Sequence, residues 1–130
     1  MELSFDTTFL IDLHREIAAQ ENGPASRFLS RRLDAVLMLS AVALGEFAAG
    51  FADPASPWLL EARRRFAILP VDEPVSLVYR EVFRSLKQKG RLIAANDLWI
   101  GCTAIVREVP LVTRNGNEFR RIPALKVIGY

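Results

Sequence analysis

The chain has only one cysteine and one histidine among its 130 residues. Cys102 has no partner for an intramolecular disulfide, and Cys102 with His14 supplies too few ligands for a zinc site of histidine and cysteine. A serine or cysteine nucleophile would have to use His14 as its base, and we expect His14 at the exposed end of a first helix. The sequence therefore excludes disulfide scaffolds and histidine–cysteine zinc centres, and it disfavours nucleophilic triads.

The chain also lacks the patterns of membrane spans and secretory signals. The long, mostly apolar stretch 35–52 contains Glu46 near its centre, which argues against a span. The opening residues, MELSFD, carry acid early and have no basic region before an apolar run. With 51% apolar and 25% charged residues, the composition is that of an ordinary globular domain. We predict one domain over residues 1–130, in a cytoplasmic protein.

Basic residues are almost all arginine, although the net charge is only +2. Adjacent arginines occur as Arg31-Arg32, in the run 63–65 and as Arg120-Arg121. Because a guanidinium matches phosphate geometry bidentately, a nucleic-acid partner is one interpretation. The other interpretation is that the arginines reflect genomic base composition and lie on ordinary solvated helix faces. The arginines alone do not decide between the two interpretations.

Short apolar segments alternate with helical segments along the chain. The predicted strands cover residues 3–5, 35–39, 67–71, 110–113 and 126–128. The predicted helices cover residues 9–16, 24–33, 41–51, 57–66, 73–89 and 98–106, the last of them buried and capped by Asn96 or Asp97, with a turn or short helix over 114–119. This alternation predicts an α/β fold, a three-layer α/β/α sandwich around a central parallel sheet of four to five strands.

Acidic and amide side chains follow the predicted strands or begin the helices after them. They are Asp6, Glu46, Asp97, Asn115 and Glu118. In doubly wound folds, ligands bind beyond the carboxyl ends of the strands, so these residues are expected to share one edge of the sheet. Local alternatives exist for most of them: a helix cap for Asp6 and Asp97, a turn for Asn115 and a surface position for Glu118. Glu46 has no countercharge on the neighbouring helical turns and lies among apolar residues predicted to be buried.

Several carboxylates held together repel one another, and such a cluster is typical of a divalent-cation site. Because no imidazole or thiolate is available, an all-oxygen ligand set favours Mg²⁺ or Mn²⁺. Such a site can polarise a phosphodiester and activate a water molecule. The acids and the arginines together are therefore consistent with metal-assisted hydrolysis of a phosphodiester.

Four segments carry a resemblance to a known family. FDTTFLIDL, LSAVALGEFAAG, IAANDLWIGCTA and PLVTRNGNEFRRIPALKVI resemble, in order and spacing, the four acidic motifs of PIN-domain ribonucleases, and within them the VapC-like toxins of type II toxin–antitoxin pairs. The likeness extends from Ser4 to Ile128. It implies a Mg²⁺-dependent endoribonuclease that hydrolyses RNA with a metal-activated water, leaving a 5′-phosphate and a 3′-hydroxyl. It also implies a homodimer and a cognate antitoxin, through which the complex binds operator DNA.

Carried over by residue, the resemblance assigns catalytic and metal-binding roles. It makes Asp6 and Asp97 the principal ligands and Glu46 a ligand directly or through water, with Glu118 or Asn115 completing the site. It places hydroxyls or a phosphate-binding group beside these acids at Thr7, Ser40, Thr113 and Arg114, although Ser40 and Thr113 could equally satisfy the local backbone. Asp12 recurs in the first motif, but the helical turn is expected to carry it away from the metal.

Two positions depart from the family pattern. After the strand ending in Thr113 the family has an acid at one of two places, where this chain has Asn115 and Glu118, so the fourth ligand is neutral unless Glu118 supplies it. Thr8 stands where the family commonly has asparagine. These differences motivate one alternative, a catalytically silent PIN module that only binds RNA or protein. The other alternative is a PIN nuclease that acts without an antitoxin, in RNA processing or on structured DNA.

Overall fold

A computed structural model describes residues 1–130 and contains one five-stranded sheet. The strands are parallel and lie in the order β3-β2-β1-β4-β5, with β1 at the centre. Their bounds are β1 Glu2–Phe5, β2 Val36–Ser40, β3 Ala67–Leu69, β4 Leu111–Val112 and β5 Val127–Ile128. The chain order of the strands reverses at β1, which is where doubly wound sheets bind ligands.

Seven helices connect and cover the strands. Their bounds are α1 Thr7–Ala18, α2 Pro24–Ser30, α3 Ala41–Ala48, α4 Pro57–Arg65, α5 Glu73–Gln88, α6 Ala95–Val106 and α7 Gly116–Phe119. Helix α5 follows its apolar periodicity, and Gly90, at φ +64°, ends it in the left-handed conformation that glycine adopts without strain. None of the seven is long and apolar enough to cross a lipid bilayer.

The core lies between the central strands and the helices packed on both faces of the sheet. Phe5 of β1 packs against Phe9, Phe28 and Phe66, with ring centroids 4.5, 6.1 and 5.6 Å away. Such tilted and edge-to-face pairs add to the stabilisation from apolar burial. The predicted three-layer α/β/α fold with a central parallel sheet is confirmed.

Several element boundaries differ from the prediction. Strand β3 ends at Leu69 because Pro70 has no N–H to continue the ladder. Helix α3 ends at Ala48, short of the predicted residue 51, and Gly50 follows in the turn. The predicted cap of helix α6 was wrong: the helix begins at Ala95, and Asp97 lies inside its first turn.

Burial also corrects two predictions. Helix α3 is not fully buried: Glu46 is exposed, and a Cβ placed on Gly45 would meet nothing within 4 Å. His14 is not at an exposed helix end; it lies within α1, partly buried, with its ring centroid 4.4 Å from that of Trp58 and 5.4 Å from that of Phe51. The predicted burial of α6 is confirmed, since Leu98 and the run 100–104 are buried.

Candidate metal centre

Asp6 directly follows strand β1 and lies at the centre of the sheet's carboxyl edge. Phe5, the last residue of β1, pairs with Leu39 of β2 on one side and Val112 of β4 on the other. The Asp6 backbone N–H donates to the Val112 carbonyl at 3.2 Å. The register therefore places Ser40 and Thr113, the residues after those partners, on either side of Asp6.

Four groups hydrogen-bond the Asp6 carboxylate or act on its charge. Oδ1 accepts from the Thr8 hydroxyl at 2.8 Å and from the Phe9 N–H at 3.1 Å, the latter as the N-cap of α1. Oδ2 accepts from the Thr113 hydroxyl at 2.5 Å. Burial raises the pKa of Asp6, and these hydrogen bonds with the charge of Arg114 offset only part of that rise. Thr8 thus hydrogen-bonds the first acid at the position where the family commonly has asparagine.

Glu46 is fixed by two side chains from different helices. Its Oε1 accepts from the Thr7 hydroxyl at 2.5 Å, and its Oε2 accepts from Asn96 Nδ2 at 3.2 Å. The predicted place of Thr7 beside an acid is therefore observed. The sequence predicted Asn96 only as a possible helix cap. Its position next to Asp97 in the sequence was the one indication that it lies near the acids.

Asp97 differs from the other acids because its carboxylate accepts no hydrogen bond from any residue of the chain. Burial first, and then the charges of Glu46, Asp6 and Glu118, raise the pKa of Asp97 to about 6. Three acids from three other segments therefore lie close enough to act on its ionisation. The structure brings together the four acids that the sequence singled out.

Glu118 and Asn115 occupy the fourth side of this cluster together. Asn115 Nδ2 lies 3.4 Å from Glu118 Oε2 and donates to it, and the Asn115 backbone N–H donates to the Thr113 hydroxyl at 2.8 Å. Because Glu118 raises the pKa of Asp97, a charged acid is present on this side even though Asn115 is neutral.

Arg114 lies beside the cluster and is held by a buried carboxylate. Its Nη1 lies 3.0 Å from Asp12 Oδ2, and the same oxygen accepts from the Tyr130 hydroxyl at 2.7 Å. Asp12 is 2% exposed, whereas the Arg114 side chain is 58% exposed. Asp12 therefore binds these two residues rather than joining the acids, and Arg114 keeps donors that face solvent.

Ser40 makes a local hydrogen bond and none to the acids. Its Oγ accepts from the Ala43 N–H at 3.1 Å and caps helix α3. Two alternatives were predicted for Ser40: a hydrogen bond to a carboxylate or a metal-bound water, and a strand-end hydroxyl that satisfies the local backbone. The structure shows the second. A residue that ends a strand and begins a helix has an unpaired N–H within reach, which accounts for this choice.

The donor set fits a hard divalent cation by its chemistry. It consists of carboxylate oxygens and one amide, which are the ligands that Mg²⁺ and Mn²⁺ prefer. No three acidic, histidine or cysteine side chains converge tightly enough to form a ready-made metal site. The charges of Glu46, Asp6 and Glu118 still act on the pKa of Asp97, so the acids interact electrostatically without forming such a group.

Comparison with known proteins agrees with this arrangement. The family model described as PIN domain matches residues 4–125. Ribonuclease VapC1 of Methanocaldococcus jannaschii is 31% identical over 118 residues, which cover 90% of this chain and 78% of that protein. Ribonuclease VapC1 of Haemophilus influenzae strain R2866 is 40% identical over 62 residues, which cover 48% of this chain and 46% of that protein.

Solved structures with the same fold are toxin–antitoxin complexes. The structure of VapBC-1 from nontypeable Haemophilus influenzae superposes with a TM-score of 0.82 and 26% identity, covering 99% of this chain and 98% of that one. VapBC2 from Rickettsia felis, bound to a promoter DNA fragment, gives a TM-score of 0.84 at 24% identity, covering 100% of this chain and 99% of that one. The chain therefore belongs to the PIN-domain family and is related to the VapC ribonucleases.

Proposed function

We propose that the chain is a divalent-metal-dependent endoribonuclease and the toxin of a toxin–antitoxin pair. The observation that carries the proposal is the state of Asp97, a carboxylate that accepts no hydrogen bond and whose pKa is raised to about 6 by burial and by three other acids. Such an arrangement favours a bound cation, because like charges held together are stabilised by a counterion. Relatives named Ribonuclease VapC support RNA as the substrate.

Asp6 and Asp97 would hold Mg²⁺ or Mn²⁺, with Glu46 binding it directly or through water and Glu118 or Asn115 completing the site. When bound, the cation would lower the pKa of water and neutralise negative charge on the phosphate. Asp97 is free to serve as a ligand because its carboxylate accepts no hydrogen bond within the chain.

Neighbouring side chains set the orientation of two of these acids. Thr8 and Thr113 fix both oxygens of Asp6, while Thr7 and Asn96 fix Glu46. Groups that orient ligands in this way preserve the geometry of a metal site.

Arg114 supplies a cation for a phosphate of the RNA backbone. Its guanidinium donates to Asp12 on one side and is more than half exposed on the other. Attack of water at phosphorus, with departure of the ribose 3′ oxygen, leaves a 5′-phosphate on one fragment and a 3′-hydroxyl on the other.

A cognate antitoxin and a second copy of the chain are the proposed protein partners. The support is that structural neighbours were solved as VapBC or FitAB complexes, some bound to DNA and one of these to a promoter fragment. We expect this chain to reach operator DNA only through such an antitoxin. Growth arrest on expression, relieved by the product of a neighbouring gene, is the expected result; absence of arrest would favour a PIN nuclease without an antitoxin.

Cleavage of RNA by the Asp97→Asn variant tests the catalytic proposal. We expect metal-dependent cleavage to fall on the order of a hundredfold or more, since removal of a ligand costs several kcal/mol of transition-state stabilisation. Asp34→Asn is the matched control, because Asp34 is exposed and makes no side-chain hydrogen bond or ion pair. Full activity of Asp97→Asn, with 5′ ends mapped at the same positions, would contradict the proposal.

A further inference from the structure

A second positively charged feature lies away from the acids, at the end of helix α2. It is a cleft of about 270 Å³. Its lining consists of Pro24, Arg27, Phe28, Arg31, Arg32, Gly129 and Tyr130, and contains no acidic side chain. None of its three arginines belongs to any of the ion pairs of the chain. Three uncompensated guanidinium groups around one cleft form a site for an anion.

Local contacts orient the arginines without using up their donors. Arg32 lies with Cζ 3.7 Å above the Phe28 ring centroid, and its Nη1 donates to the Phe28 carbonyl at 3.1 Å. Arg27 Nη1 donates to the carbonyl of Asn22, and the Arg31 side chain makes no hydrogen bond. Because a guanidinium has five N–H donors, each arginine keeps most of them for a ligand.

One tyrosine connects this cleft with the proposed catalytic site. The ring of Tyr130 lines the cleft and packs 4.8 Å from the Phe9 ring, between centroids. Its hydroxyl donates to Asp12 Oδ2, the oxygen that also pairs with Arg114. The Tyr130–Asp12 hydrogen bond therefore connects the lining of the cationic cleft with the carboxylate that pairs with Arg114.

We propose that this cleft, the α2 arginine cleft, binds a backbone phosphate of single-stranded RNA near the phosphate held at Arg114. The inference rests on the proposed function and extends it, because it gives the RNA strand a second anchor outside the acid cluster. Contacts to phosphate from arginines add affinity without reading sequence. The α2 arginine cleft thereby fixes the direction in which the strand leaves the catalytic acids.

The salt dependence of RNA binding tests this assignment. The probe is a fluorescent, mixed-sequence single-stranded RNA, measured by anisotropy with the wild-type chain in EDTA and with the double variant Arg27→Ala/Arg31→Ala. Loss of this one phosphate contact should reduce the slope of log K against log salt by about 0.7, the value for one contact with a single strand. The matched control is Arg63→Ala/Arg91→Ala, which removes two exposed arginines outside the cleft and should leave the slope unchanged.

Cleavage kinetics separate this inference from the function on which it rests. With Mn²⁺ present, the double variant should raise KM for a long RNA and leave cleavage of a dinucleotide at the wild-type rate, which a folding defect would not do. If the wild type cleaves RNA but both double variants bind RNA with the same salt slope, the cleft assignment is wrong and the proposed function stands. Absence of RNA binding by the wild type would overturn both proposals, and weakened antitoxin binding with an unchanged RNA slope would assign the cleft to a protein instead.

Discussion

Two acidic sites in this chain have opposite electrostatic surroundings. Glu16, on helix α1, is 2% exposed and accepts hydrogen bonds from the N–H groups of Ala25 at 3.1 Å and Ser26 at 2.8 Å. Burial alone would raise the pKa of Glu16, but these hydrogen bonds lower it on balance. Asp97 accepts no hydrogen bond, and burial together with the charges of three other acids raises its pKa to about 6. The Glu16 carboxylate is hydrogen-bonded within the fold, whereas the Asp97 carboxylate has no hydrogen-bond donor and is the ligand that we propose for a cation.

This difference separates an acid that stabilises the fold from an acid of the proposed metal site. Glu16 places a negative charge at the N-terminal end of helix α2, where the helix dipole and free N–H groups favour it. Asp97 lies in the first turn of α6, yet burial and the charges of the neighbouring acids outweigh any such benefit to its carboxylate. Acids whose pKa is strongly shifted by burial and neighbouring charges are characteristic of active sites, where the arrangement that serves catalysis lowers stability.

The largest expected effect on this comparison comes from removing the structural acid. Glu16→Ala should lower the free energy of unfolding by about 3 kcal/mol at pH 7, because two charge-assisted hydrogen bonds are lost and the amides of Ala25 and Ser26 remain unpaired. Chemical denaturation of the variant measures this loss. Glu21→Ala, which changes an exposed glutamate nearby, should have little effect.

The contribution of Glu16 should also depend on pH with a definite sign. Its pKa in the folded chain is lower than the value of about 4.3 in an unfolded chain. The stabilisation is therefore complete above that unfolded value and is lost as the pH falls through the folded pKa. A stability difference between wild type and Glu16→Ala that persists undiminished in acid would contradict this account.

The next effect concerns the hydroxyl groups that hydrogen-bond the acids of the proposed metal site. Thr113→Val removes the donor to Asp6 Oδ2 while preserving shape, and we expect RNA cleavage to fall about 10- to 100-fold. Thr103→Val is the control, because Thr103 is a buried threonine whose hydroxyl donates only to the Trp99 carbonyl. Equal activity of both variants would show that Thr113 has no special role.

Asp97→Asn should have the opposite effect on stability from Glu16→Ala. In the metal-free protein at pH 7, the free energy of unfolding should rise by about 1 kcal/mol, a figure reduced for the partial solvent exposure of Asp97. The wild-type penalty is complete above the folded pKa of about 6 and disappears as the pH falls towards the unfolded value of about 3.9. Chemical denaturation in EDTA measures the full penalty at pH 7 and its near absence at pH 4. An Asp97→Asn variant that is less stable than the wild type at pH 7 would contradict the contrast between Asp97 and Glu16.

The smallest effect is expected at Cys102, a buried group with neither hydrogen bonds nor charges to offset burial. Desolvation alone raises the pKa of its thiol to about 12, so almost no thiolate exists at pH 8. Native protein should therefore not react with iodoacetamide, whereas protein in denaturant should react once per chain. Rapid labelling of the native chain would show that α6 opens.

The sequence predicted the strands and the acids because both depend on local patterns. Apolar runs of strand length indicated a parallel sheet, and the rule that ligands bind beyond strand ends selected Asp6, Glu46, Asp97 and Glu118. Exposure was harder to predict. The small apolar residues around Glu46 indicated a buried helix, yet small side chains also permit an exposed face, and α3 has one.

Contacts between distant segments could not be predicted from periodicity. The hydrogen bond from Tyr130 to Asp12 joins residues 118 positions apart, and the one from Asn96 to Glu46 joins residues 50 apart. Ser40 had two possible partners, a carboxylate or its own helix, and only the three-dimensional arrangement showed that the hydroxyl caps α3.

Calorimetric titration of the metal-free chain with Mn²⁺ near neutral pH tests the central claim, that the four acids form a cation site, most directly. We expect the wild type to bind Mn²⁺, with affinity falling as the pH decreases below about 6, because protons then compete for Asp97. Asp97→Asn should bind far more weakly, and Asp34→Asn should bind like the wild type. No binding by the wild type, or equal binding by Asp97→Asn, would contradict the account and favour a PIN module without catalysis.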